Sequence, residues 1–227
     1  MIREMRLPQS TIKSETLPVN VPVDGVDLAG DLCVPPNAKG IVVFAHGSGS
    51  SRFSPRNRFV AEVLHEHAVG TLLIDLLTPE EERIDEQTRE LRFDIPLLAG
   101  RLEKIGAWVL ARPRLRDLKL GYFGASTGGA AALIAAAAQP DKMAAVVSRG
   151  GRPDLADEFL PQVQAPTLLI VGGHDPQVLE WNKEALALLN KRSRLEIVPR
   201  ATHLFEEPGA LETVAQLAAN WFAGLFA

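Results

Sequence analysis

Short apolar runs without polar alternation constrain this chain more than any other feature. Residues Ile41–His46 read IVVFAH, a continuous apolar run, and further strands are read at GTLLIDLL, LKLGYFG, AAVVSRG, APTLLIVGG and RLEIVPR. A strand with one solvated face alternates apolar and polar side chains, so continuous runs suit strands covered on both faces. Between the runs lie segments with helical spacing. Phe59, Val60, Val63 and Leu64 form one apolar stripe, and Leu98, Leu102, Ile105 and Val109 form another. TGGAAALIAAAAQ and ALETVAQLAANWFAGLF add two more helices. Strands alternating with helices imply a mostly parallel sheet with helices on both faces, an α/β fold. Upstream, extended segments near Glu15–Val23 and Val26–Val34 flank Asp24-Gly25, a favoured hairpin turn, which predicts an N-terminal antiparallel hairpin.

The chain has 227 residues, enough to bury one substantial core, and no repeat, low-complexity tract or long linker divides it. A single domain over 1–227 is therefore expected. The formal net charge of −4 and the scattered Lys and Arg give no electrostatic footprint for nucleic acid. The N-terminal MIREMRLPQSTIKSE has charges but no apolar stretch behind them, so no secretory signal is expected there. No apolar run approaches the roughly 20 residues of a membrane span. A cytoplasmic protein, monomeric or homodimeric and without a membrane or nucleic-acid partner, is the expectation. The lone Cys33 reads as a small hydrophobe packed on a strand. The apolar tail WFAGLFA suits packing on the sheet or a dimer contact. Thr78–Leu91, TPEEERIDEQTREL, reads as a solvated loop and helix start, or as a mobile flap, because it follows the C-terminal end of a parallel strand.

Gly124-Ala125-Ser126-Thr127-Gly128 matches G-x-S-x-G, with a strand before it and a helix after it. A nucleophile on so tight a turn crowds residues two positions away, which explains glycine at 124 and 128. The helix N-terminus also leaves backbone N–H groups free for developing negative charge. A serine hydroxyl needs a base. Of five histidines, only His174 and His203 follow Ser126, and His203 lies in RATHLFEEP, between the last strand and the last helix. His65 and His67 read as solvated positions on a helix flank. Asp175, leaving a strand on a Gly-Gly turn, is the candidate acid, accepting a hydrogen bond from the far nitrogen of His203. Asp154, Asp157 and Glu158 compete in sequence order but suit a helix N-cap better. His174-Asp175 lacks further spaced ligands, so neither a metal nor a cofactor is expected.

AHGSGSS, Ala45–Ser51, follows the Ile41 strand as an oxyanion loop would. The backbone N–H groups of Ser48 and Thr127 are the candidate donors, and His46 reads as a structural pin for the loop. The glycines also suit a phosphate cradle, but the Gly-Lys-Ser/Thr ending of a P-loop is missing. Gly47, Gly49 and Arg149 are candidate substrate contacts. Arg149 is placed either to meet a substrate carboxylate or to pair with Asp154.

These elements in this order resemble the α/β-hydrolase superfamily, and within it the small dienelactone-hydrolase-like branch, over nearly the whole chain from the Ile41 strand to His203. HGSGSSRFSPRN and SRGGRPDLA look like segments of that branch. The resemblance implies a hydrolase fold with Ser126, Asp175 and His203 as the triad and Ser48 and Thr127 as oxyanion donors. Dienelactone hydrolases carry cysteine as nucleophile. Serine here implies a serine esterase acting on a small-molecule ester of a short acyl group. The same machinery also serves an acyltransferase, thioesterase or perhydrolase, and a non-catalytic binding protein on a hydrolase scaffold is a third possibility. Only RGGRPDLADEFLPQVQ follows the sixth strand, too little for a large cap domain.

Overall fold

The structure, a computed structural model, describes residues 15–227. Residues 1–14, which carry most of the segment weighed above as a secretory signal, lie outside the described residues. Among the described residues eight strands form one sheet: β1 (Thr16–Val23), β2 (Val26–Cys33), β3 (Gly40–Ala45), β4 (Val69–Ile74), β5 (Lys119–Ala125), β6 (Met143–Arg149), β7 (Thr167–Gly172) and β8 (Arg194–Val198). Their spatial order is β1-β2-β4-β3-β5-β6-β7-β8. β1 and β2 pair antiparallel, β2 meets β4 antiparallel, and every later pairing is parallel. The β1–β2 turn has positive φ at both Asp24 (50°) and Gly25 (83°), the conformation that matches the strand twist of a two-residue hairpin.

Among the described residues six α-helices cover the sheet: α1 (Pro55–Glu66), α2 (Pro79–Thr88), α3 (Ile95–Ala111), α4 (Thr127–Ala138), α5 (Pro176–Leu188) and α6 (Ala210–Phe226). The continuous apolar runs feed two cores at once. On β3, Ile41, Val43 and Ala45 join the core under α3, α4 and α5, whereas Val42 and Phe44 join the core under α1 and α6. Each of the valine, isoleucine and phenylalanine side chains, fully buried, contributes about 1.5–3 kcal/mol of hydrophobic stabilisation. Phe44 stacks on Phe123 of β5 with centroids 4.7 Å apart. The C-terminal tail packs on the sheet: Phe222 and Phe226 are buried and lie over Gly121, where a Cβ would strike both rings.

The charged segment 78–91, read as a solvated loop and helix start or as a mobile flap, is largely helical. Most of it is α2, started by a capping box in which Thr78 accepts from the Glu81 N–H and Glu81 accepts from the Thr78 N–H. Arg101 on α3 holds both oxygens of Glu81, at 2.5 and 2.7 Å. Asp85 is fully buried and takes the Arg92 backbone N–H at 3.0 Å together with its Nε. Most charges of the segment are exposed, as expected, and only Glu81 and Asp85 find partners on the neighbouring helix and turn. After β6 the chain forms only a 3-10 stretch, Pro153–Gln162, and no large cap domain.

Candidate active site

β5 ends at Ala125, and Ser126 turns directly into α4 with φ 51° and ψ −121°. A non-glycine residue with positive φ costs about 1–3 kcal/mol and persists only where its surroundings enforce it. Here they do. The Ser126 N–H donates to the Arg149 carbonyl at 3.2 Å, and the Ser126 carbonyl accepts from Gly129 at 2.9 Å and Arg152 at 3.1 Å. The flanking glycines are required by close approach: a Cβ on Gly124 would meet the Gly128–Gly129 backbone, and one on Gly128 would meet the carbonyls of Ala45 and His46. The turn therefore raises the hydroxyl above the sheet edge, beside the loop that follows β3.

His203 lies in the loop after β8, its side chain 38% exposed. Nε2 stands 3.3 Å from Ser126 Oγ, and Nδ1 stands 2.7 Å from Oδ2 of Asp175, which follows β7 at the N-cap position of α5 without a side-chain capping bond. With Nδ1–H donated to the carboxylate, Nε2 is left to accept the serine proton. Three residues separated by 77 and 28 positions thus meet at one edge, as expected from their order. The rival acids do not. Asp154 takes a bidentate hold from Arg152, at 2.7 and 2.9 Å, and no side chain N-caps the Pro153–Gln162 stretch.

The loop after β3 closes against this turn. A Cβ built on Gly47 would lie 3.2 Å from Ser126 Cβ, so the glycine lets the loop reach the serine. His46 pins it. Nε2 accepts the Leu76 N–H at 3.1 Å, and the Nδ1–H donates to the Gly47 carbonyl at 3.0 Å. Burial pushes the imidazole below its ordinary value, outweighing that hydrogen bond, so the ring is kept neutral. The Ser48 N–H is differently placed from the free donor expected of it: it donates to Thr127 Oγ1 at 2.9 Å. Thr127 is the first residue of α4, so its own N–H has no carbonyl a turn earlier to bond. Gly49, at φ 67°, is exposed, and a Cβ there would lie 3.2 Å from Nη1 of Arg92.

Other positions differ from expectation. Arg149 does not pair with Asp154; it is buried, with Nε and Nη1 lacking any acceptor among the described residues. His65 is half-buried rather than solvated, with Nε2 2.7 Å from Thr71 Oγ1 and Nδ1 3.8 Å from Cys33 Sγ. His67 likewise donates or accepts within the fold, its Nδ1 2.9 Å from the Val63 carbonyl and therefore the protonated nitrogen. Cys33 is buried on β2, as its strand context predicted. Sequence patterning missed Arg152, whose N–H braces Ser126 and whose guanidinium stacks 4.2 Å over Trp181 of α5. No periodicity or motif marks such a residue.

A nucleophile-type turn between β5 and α4, with an acid after β7 and a histidine after β8, defines an α/β-hydrolase. The chain belongs to the dienelactone hydrolase family, whose profile matches residues 32–223. A crystal structure of dienelactone hydrolase from Anabaena variabilis is 61% identical, covers 93% of this chain and 98% of its own, and superposes with a TM-score of 0.92. Est1E from Butyrivibrio proteoclasticus shares the fold at 16% identity, with a TM-score of 0.77 over 92% of this chain and 98% of its own. Two curated proteins, from two strains of Mycobacterium tuberculosis, are 58% identical over 204 residues; their names assign them provisionally to the phosphoribosyl transferases. That match covers 90% of this chain and 45% of each relative, so the chain spans about half their length. Among the described residues no helix is long and apolar enough to cross a membrane.

Proposed function

We propose that the chain is a serine-dependent carboxylesterase that cleaves small esters through an acyl-enzyme on Ser126. The observation that carries this reading is the imidazole of His203, within 3.3 Å of the Ser126 hydroxyl and 2.7 Å of the Asp175 carboxylate. Ser126 Oγ attacks the ester carbonyl while Nε2 of His203 takes its proton, and Asp175 holds the ring in the required tautomer and stabilises the imidazolium. The tetrahedral oxygen is met by the Thr127 N–H at the start of α4 and by the Ser48 N–H, which is shared with or released from Thr127 Oγ1. Each such donor contributes about 3 kcal/mol to the transition state. The imidazolium then protonates the leaving alcohol. Water, deprotonated by the same ring, releases the acid and restores the serine.

The direct test is hydrolysis of a p-nitrophenyl ester by Ser126→Ala. Turnover is expected to fall by about 10³-fold or more, to the level that binding and the oxyanion donors support alone. A fluorophosphonate should label the wild-type protein at Ser126 and leave the alanine variant unlabelled. Undiminished turnover by the alanine variant would falsify the assignment.

A further inference from the structure

Ser126 keeps its positive φ because residues 149–152 hold it from both sides. The Arg149 carbonyl accepts the Ser126 N–H, and the Arg152 N–H donates to the Ser126 carbonyl. The same short strap also meets the base. Gly150, itself at φ 51°, donates its N–H to the Ile170 carbonyl of β7 at 2.7 Å. Its Cβ position lies 3.4 Å from Cε1 of His203. A shift of the strap therefore moves the serine hydroxyl and the imidazole relative to each other, across a gap of 3.3 Å.

At the centre of the strap, the Gly151 carbonyl is held by Asn182 of α5. Asn182 is fully buried, and its Nδ2 donates to the Gly151 carbonyl at 3.0 Å and to the Val178 carbonyl at 2.8 Å. Both neighbours are acceptors, so the amide must turn its NH2 toward them. Its Oδ1 is buried without a donor among the described residues. A buried carbonyl oxygen left in that state destabilises the fold, and a leucine would bring no such atom. Packing alone thus favours an apolar side chain here, and what asparagine adds is the bond to Gly151. Trp181, the preceding residue, carries the Arg152 guanidinium on its ring at 4.2 Å, so α5 grips the strap at two successive positions. The same helix begins at Asp175, whose carboxylate holds His203, about two helical turns before Asn182.

We infer that Asn182 is a positioning residue for the nucleophile. Through the Gly151 carbonyl it ties the helix that starts at the acid to the strap that sets the serine turn, so that acid, base and hydroxyl keep one spacing. The inference rests on Ser126 as the nucleophile. Asn182 acts from inside the fold and touches no substrate.

Asn182→Leu tests it, keeping a branched side chain while removing both Nδ2 bonds. A reacting group displaced by about 1 Å can lose about 10²-fold in rate. For a p-nitrophenyl ester, kcat should fall about 10- to 100-fold with KM within about 2-fold of wild type. The rate of fluorophosphonate labelling at Ser126 should fall in parallel, while Tm moves by no more than about 3 °C. Amide exchange should quicken at Ser126 and Arg152 but not at Ala131–Ala136 in the middle of α4. Trp181→Leu, which loosens the strap from the half-buried side of α5, should show a smaller loss of the same kind. It carries the same comparisons if Asn182→Leu fails to fold. A kcat and a labelling rate both within 2-fold of wild type overturn the proposal, whatever Tm does. Lower activity with exchange quickened evenly along α4 marks a general loosening and also overturns it. Wild-type protein that takes no label at Ser126 defeats the nucleophile assignment, and the positioning role with it. Labelled wild type beside unaffected variants removes only the role of Asn182.

Discussion

Nδ1 of His203 lies 2.7 Å from Oδ2 of Asp175, joining the loop after β8 to the loop after β7. In Asp175→Asn the side chain keeps its shape but can present an amide N–H to the ring, favouring the wrong tautomer for a base. The expected loss in kcat is about 10³- to 10⁴-fold, with little change in Tm. Steady-state ester hydrolysis beside a thermal melt checks it; a loss below 10-fold would show that the carboxylate does not set the tautomer.

The tight approach at Gly128 predicts a stability effect of definite sign. Its Cβ would meet backbone carbonyls of Ala45 and His46, which cannot swing aside as a side chain can. Gly128→Ala should destabilise by about 2 kcal/mol or more. Gly224, on the exposed side of α6 with nothing within 4 Å of its Cβ position, provides the contrast. Gly224→Ala should stabilise by up to about 1 kcal/mol through helix propensity. Urea unfolding of the pair measures both.

Glu81 both completes the capping box of α2 and neutralises the buried Arg101. Glu81→Ala removes the reciprocal half of the capping box, leaving the Thr78 cap, and leaves a buried guanidinium without its carboxylate, at a cost of about 3 kcal/mol. Amide hydrogen exchange across 79–93 should quicken more than across α4. Uniform exchange in the variant would mean that α2 is held by something other than this pair.

Stability should fall on the acid side of neutrality. Burial lowers the imidazoles of both His46 and His65. The unfolded chain therefore binds protons below about pH 6.5 that the folded protein refuses. The histidine contribution is fully present above that pH and is lost as pH falls toward the folded values. Below it, Glu81 adds a loss of its own, since Arg101 holds its carboxyl below the ordinary range and protonation ends that pairing. His46→Asn, which keeps an acceptor for the Leu76 N–H, should flatten the stability curve between pH 6.5 and 5. An unaltered slope in urea titrations would assign the acid loss to other groups.

Much of the fold was legible because strand burial leaves a local mark. IVVFAH had to be covered on both faces, and Val42 and Val43 indeed point into separate cores. Ser126 was legible because glycines at 124 and 128 record a steric demand made within five residues. His203 and Asp175 followed from chain order, since residues at the C-terminal ends of parallel strands share one edge.

Pairings between distant charges left no such mark. Arg149 and Arg101 look alike in sequence, yet Glu81 reaches one and no carboxylate among the described residues reaches the other. Nor could spacing reveal that Thr127 Oγ1 holds the Ser48 N–H, or that α2 is bound down through Glu81 and Asp85. Residue order alone determined the alternation of strands and helices and the tight turn at Ser126, because backbone sterics and apolar periodicity act over a few neighbours. Tertiary structure decided which charges are matched, since that depends on which side chains converge after the sheet has brought remote segments together.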